Sequence, residues 1–118
     1  MYATDLKADL AGVPTEILQR DGPVAATTAE AMAAGVRLRC KATYGVATTG
    51  VAGPDPQDGH RPGTLHVAVS GPHGTTVASY TGIEGDRAAV RAAAVGHALD
   101  LLGTVLDQAR ESQPDPGR

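Results

Sequence analysis

Ala47-Thr48-Thr49-Gly50-Val51-Ala52-Gly53-Pro54 is the stretch that most narrows the folds open to this chain. It reads as an apolar strand, Tyr44 to Val51, running straight into a loop with almost no side-chain bulk. Two glycines and an alanine between positions 50 and 53 let another group come close to the backbone. Thr48 and Thr49 place hydroxyls where the strand ends, and strand ends of α/β sheets are where ligands usually bind. From spacing alone the segment reads either as a tight structural turn or as a site holding an anion or carbonyl on N–H groups and hydroxyls. It is neither a Walker A loop, which needs Gly-Lys-Ser/Thr, nor a GxGxxG fingerprint.

The surrounding pattern alternates helices and strands. Thr4 is placed to cap a short helix through Asp5 to Leu10. Gly12-Val13-Pro14 ends it, and Pro14 suits the first turn of a second short helix reaching about Gln19. After the turn Asp21-Gly22-Pro23, Thr27 or Thr28 opens a helix to about Arg39, with Ala29, Met32, Ala33, Val36 and Cys40 on one face. The strand Tyr44 to Val51 has few polar breaks, which predicts burial on both faces. Asp55 to Pro62 is a polar, proline-bearing loop. Thr64 to Val69 alternates strictly, with Leu65, Val67 and Val69 on one face. Gly71-Pro72-His73-Gly74 then turns the chain into Thr75 to Thr81, a hairpin. The last helix runs from about Asp86 to Ala109. It carries one stripe of Val90, Ala94, Ala98, Leu101 and Val105, and an adjacent one of Val95, Leu99, Leu102 and Leu106. A face that wide is expected to cover a sheet.

At 118 residues the chain is one domain. Its core must be built from small side chains, because there is no Trp or Phe and only 3 Tyr. A net charge of −3 with scattered basic residues argues against a nucleic-acid surface. No apolar run approaches the roughly 20 residues of a membrane span, and the amino terminus lacks a signal pattern. A single cysteine, Cys40, forms no internal disulfide, which makes a reducing cytoplasm the expected compartment. Its place in the apolar spacing reads as a buried small hydrophobe.

Other residues with chemistry are sparse. Asp86 reads as the cap of the last helix, and Arg87 either as a solvated side chain or as a fork onto a phosphate at the helix's positive end. His60 and His73 fall in loops, His66 points away from the Leu65 stripe, and His97 sits beside the apolar stripe as a core histidine. Their spacing fits no metal signature. Neither a Gly-x-Ser-x-Gly elbow nor Ser-x-x-Lys is present, so no nucleophile is legible.

Seven pieces, in order and at the right spacing, resemble the CinA carboxy-terminal domain family over about residues 2 to 108. They are Tyr2-Ala3-Thr4-Asp5-Leu6-Lys7, Leu10-Ala11-Gly12-Val13-Pro14, Gly22-Pro23-Val24, Ala31-Met32-Ala33-Ala34-Gly35, Thr49-Gly50-Val51-Ala52-Gly53-Pro54, Pro62-Gly63-Thr64 and Gly85-Asp86-Arg87. The resemblance implies a three-layer α/β/α domain with a mixed sheet over residues 1–110; the polar, Pro-rich tail, 111–118, is expected to be disordered by its composition. It implies nicotinamide-nucleotide amidase activity: nicotinamide mononucleotide is hydrolysed to nicotinic acid mononucleotide and ammonia, without a cofactor or metal. The partner implied is that small-molecule nucleotide, with neither nucleic acid nor membrane, and homo-oligomerisation is left open. In such enzymes a serine in a Glu-Ser-Cys-Thr-Gly-Gly segment is activated by a lysine five residues after a tyrosine. The carry-over assigns catalysis to Lys7 and Tyr2, substrate binding to Thr49, Gly50, Ala52 and Gly53, and phosphate binding to Arg87. The serine segment lies amino-terminal to the tyrosine in the family, whereas this sequence begins Met1-Tyr2. The expectation is therefore a domain short of its first helix and strand and inactive alone. Asp55 to Arg61 also departs from the family's Gly-Gly-rich loop. The leading reading is an amidase whose true start lies upstream and supplies the serine; the competing ones are a non-catalytic nucleotide-binding remnant and a module that completes its sheet with another chain.

Overall fold

The computed structural model describes residues 12–53, 55 and 60–112. The helix expected before Leu10 and the tail beyond residue 112 lie outside the described residues. In chain order the elements are α1 (Thr15–Asp21), α2 (Ala26–Cys40), β1 (Gly45–Gly50), β2 (Leu65–Gly71), β3 (Gly74–Tyr80) and α3 (Arg87–Ser112). The α/β class matches expectation, and the three described strands form an antiparallel sheet in the order β1-β2-β3.

Pro14 immediately precedes α1 with φ −57°, and Gly22 closes that helix at φ 82°, a conformation costly for any side chain. Asp21 joins α1 to α2. It pairs with Arg20 at 2.8 Å and accepts the Thr27 hydroxyl at 2.6 Å. These hydrogen bonds, Arg20's first and then Thr27's, hold its carboxyl down at about 2. Neither threonine caps α2, whose N-cap is Ala25 without a side-chain bond. Thr28 is buried and donates its hydroxyl to the Gly22 carbonyl. The helix therefore starts earlier than the capping rule predicts, because both hydroxyls tie the preceding turn.

One face of α2 buries Ala29, Met32 and Ala33 against Ala47 of β1 and Ala68 of β2, with Val13 closing the cluster. Small residues let helix and sheet approach closely. A Cβ on Gly45 would stand 2.3 Å from the Ala33 carbonyl oxygen. Cys40 is exposed, not buried as its spacing suggests, and so is Leu38. The last turn of α2 runs past the strands it covers, so a correct angular position finds nothing to pack against.

The hairpin forms where expected, with Gly71 opposite Gly74. Gly71 is required by contact, since a Cβ there would meet the Tyr44 ring at 2.7 Å. As the central strand, β2 is buried on both faces, which its alternating sequence does not predict. For β1 the correction is the reverse. It alternates buried and exposed residues along Gly45–Gly50, because Ala47 and Thr49 meet the covered face while Val46 and Thr48 do not. On the opposite side Leu65 and Val67 pack with Ala98, Ala94 and Leu101 of α3. Of the second stripe of α3, Val95, Leu99 and Leu106 are exposed and Leu102 is half-buried. Arg87–Glu111 is long and apolar enough to cross a membrane by length and composition, contrary to the expectation of no such run. Val90 and Ala98 are its buried residues, so the helix is covered along one stripe only.

Candidate functional site

The loop after β1 is folded by backbone pairing that outlasts the strand. The Val51 N–H is donated to the Thr64 carbonyl at 2.9 Å, and the Gly63 N–H to the Val51 carbonyl at 2.8 Å. At Gly50 a Cβ would lie 2.4 Å from the Thr64 oxygen, so the small residue is imposed by this close approach. Gly53 has φ 88°, the left-handed region that favours glycine. These constraints bend the loop toward the amino-terminal end of α3.

That helix begins with Asp86 as its cap. Its Oδ1 accepts the Ala89 N–H at 2.9 Å, and its carbonyl accepts the Val90 N–H at 3.0 Å. Arg87 then reaches back and donates from Nη1 to the Gly53 carbonyl at 3.2 Å, clamping loop to helix. Between them lies a cleft of about 450 Å³. Its polar end is formed by Thr48, Gly50, Ala52, Arg87 and Arg91, and its apolar flank includes Leu65, Val95 and Leu99. The positive end of a helix dipole and two guanidinium groups thus meet a strand end of small residues, an arrangement suited to an anionic group.

Of the residues singled out by sequence, Thr49, Gly50, Ala52 and Arg87 line this one cleft, and Gly53 is tied to it through Arg87. Thr49 is buried and donates its hydroxyl to the Pro23 carbonyl at 2.6 Å, anchoring β1 to the α1–α2 connection. The more exposed hydroxyl at the cleft is that of Thr48. Tyr2 and Lys7 lie outside the described residues. Arg91 was missed, although its position one helical turn after Arg87 is a legible signal that both share a face.

The histidines stand apart from the cleft. His66 sits opposite Ser79 in the register, with Nδ1 and the serine oxygen 2.7 Å apart. Burial, reinforced by nearby His60, pushes its pKa down. His97 stacks on Tyr80 with ring centroids 3.9 Å apart, an aromatic contact in place of the expected core setting. Among the described residues no three His, Cys, Asp or Glu groups gather as a metal site. The described cleft lining contains no carboxylate, histidine or cysteine, so these residues provide binding groups and no acid–base pair.

The family profile described as the CinA C-terminal domain matches residues 1–106. A CinA-like protein of Frankia casuarinae is 51% identical over 105 residues, covering 89% of this chain and 24% of that protein. Another, from Solibacter usitatus, is 44% identical over 102 residues, covering 86% of this chain and 24% of its own length. The chain thus spans about a quarter of these curated relatives. Among solved structures, the competence/damage inducible protein CihA from Agrobacterium tumefaciens is similar with a TM-score of 0.82 and 34% identity, over 88% of this chain and 64% of that one. A CinA superfamily protein from Enterobacter cloacae has a TM-score of 0.83 and 31% identity, over 90% of this chain and 63% of that one.

Proposed function

The chain belongs to the CinA C-terminal domain family, and from that premise we propose that it carries the nucleotide-binding part of a nicotinamide-nucleotide amidase. The reaction replaces the carboxamide nitrogen of nicotinamide mononucleotide with a water-derived oxygen, giving nicotinic acid mononucleotide and ammonia. The observation that carries the reading is the convergence of Arg87, the β1-end loop and the α3 amino terminus on one cleft. A nucleotide monophosphate needs a counter-charge, and a guanidinium beside a helix amino terminus supplies one. In this reading Arg87 holds the phosphate, while the Gly50 to Gly53 backbone and Thr49 shape the wall. Lys7 and Tyr2 serve the attacking hydroxyl. That hydroxyl belongs to the Glu-Ser-Cys-Thr-Gly-Gly segment, which this sequence does not contain. The 118-residue chain is therefore a binder that does not turn the nucleotide over by itself.

Titration of nicotinamide mononucleotide into the purified chain by calorimetry, alongside an ammonia-release assay, tests both parts. Saturable binding is expected, weakened in Arg87→Ala by about 1.5–3 kcal/mol, the usual worth of a charged hydrogen bond. No ammonia release is expected. Absence of saturable binding overturns the site, and ammonia release at enzymatic rates by the chain alone overturns its inactivity.

A further inference from the structure

Arg87, Arg91, Val95 and Leu99 stand four residues apart along α3, and all four line the candidate cleft. Side chains at that interval form one ridge of a helix, each set about 6 Å further along the axis than the one before. The ridge changes chemistry halfway: its first two members end in guanidinium groups and its last two carry only aliphatic carbon. The described lining of the cleft holds no carboxylate, so its charge is positive and concentrated at the Arg87 end. Arg87 gives one N–H to the Gly53 carbonyl, a neutral acceptor that leaves its charge and its other donors in place. Like charges at this spacing destabilise an isolated helix, a cost that an anion bridging them offsets.

The aliphatic end is equally pointed. Val95 is 59% and Leu99 63% exposed, while their neighbours Ala94 and Ala98 pack with Leu65 and Val67. Two apolar side chains thus rise from a covered helix into the same cleft that the arginines enter. Its volume, about 450 Å³, lies within the range of about 300–1,000 Å³ typical of small-molecule sites. The facing wall is the β1-end loop with Gly50 and Ala52, which has little side chain with which to tell one ligand from another.

We propose that this ridge is the specificity element of the cleft. Arg91 joins Arg87 as a second fork on a phosphate dianion, and Val95 and Leu99 seat the flat ring of the same ligand. A phosphomonoester has three terminal acceptor oxygens, more than one bidentate guanidinium contact satisfies, so the second fork adds hydrogen bonds rather than duplicating them. One helical step separates Arg91 from Val95, which fits a single sugar-sized spacer between phosphate and ring. The ligand therefore lies along α3 with its phosphate toward Arg87 and its ring toward Leu99. This deepens the amidase reading and rests on it for the presence of a nucleotide in the cleft.

The test titrates three ligands into the full 118-residue chain and follows them by nuclear magnetic resonance, which reads weak and tight binding alike. They are nicotinamide mononucleotide, nicotinamide riboside, which lacks the phosphate, and ribose 5-phosphate, which lacks the ring. Arg91→Ala is expected to weaken the mononucleotide and ribose 5-phosphate at least about tenfold and to leave the riboside unchanged. Leu99→Ala is expected to weaken the mononucleotide and the riboside about threefold or more and to leave ribose 5-phosphate unchanged. Both side chains are exposed, and unchanged circular dichroism of the variants separates a lost contact from a lost fold. Failure of the unaltered chain to bind the mononucleotide overturns the amidase reading and the ridge together. A chain that binds the mononucleotide but not both fragments overturns the ridge alone. So does a variant that weakens all three ligands equally or none of them. An exchanged pattern, with Leu99→Ala acting on ribose 5-phosphate and Arg91→Ala on the riboside, overturns it by reversing the ligand in the cleft.

Discussion

The two faces of the sheet are finished to different degrees. On the α2 side Ala29, Ala33 and Ala68 are fully buried, and the glycine at 45 leaves no room for a methyl group. On the α3 side the core is limited to Leu65, Val67, Ala98 and their immediate neighbours, and the cleft runs between helix and strand. Small residues produce a tight interface only where a second layer presses on them. The same chemistry on the open side, at Gly96 and Gly103, leaves empty space around the helix. The closed face therefore carries the stability of the described fold, and the open face carries the candidate cleft.

That contrast breaks most readily with paired truncations. Met32→Ala on the closed face is expected to cost about 2–5 kcal/mol, through lost burial and the cavity left behind. Leu99→Ala, an exposed site on the open face, is expected to change stability by at most about 0.5 kcal/mol. Urea unfolding of both variants compares them, and equal losses would mean that the open face is covered in solution.

Glycine replacements sharpen the comparison. A methyl group at Gly45 collides with the Ala33 carbonyl, so Gly45→Ala forces β1 away from α2 and destabilises by about 1–3 kcal/mol. Gly96 lies inside α3 with nothing within 4 Å of an added Cβ. Gly96→Ala is accordingly expected to stabilise by about 0.5–1 kcal/mol, the helix preference of alanine over glycine. Thermal midpoints with opposite signs would uphold the distinction between the faces.

The smallest expected effect is a pH dependence at His66. Its pKa lies below the ordinary 6.5 because burial, and then His60, disfavour the charged ring. The unfolded chain therefore binds the proton more readily than the native one. The associated stability is fully present above the unfolded pKa and declines as pH falls through the folded value. His66→Gln is expected to flatten that part of the stability profile, as denaturation midpoints measured between pH 7 and pH 5 would reveal. An unchanged slope would assign the dependence to other groups.

Much of the lining of the candidate cleft was legible before the fold was known. Gly50, Ala52, Gly53 and Arg87 could be singled out because turn chemistry and a helix start are local, and each is set by its immediate neighbours. Thr49 was also singled out, but its hydroxyl is spent on Pro23, 26 residues away, a contact no local pattern encodes. Arg91 carried the right spacing but had no visible cleft to point at. Cys40 failed for the complementary reason: its angular position was right, and burial also depends on how far the covering sheet extends.

The sequence by itself determined the element order, the hairpin, the Asp86 cap and the two-striped character of α3. All of these follow from short-range periodicity, turn residues and hydrogen bonds between near neighbours. Tertiary structure alone decided that β2 is the doubly covered strand, that β1 is an edge of the described sheet, and that residues of one α3 stripe are exposed. Those outcomes depend on which layers are present to cover each face, a property of long-range packing that apolar spacing along a single strand or helix does not carry.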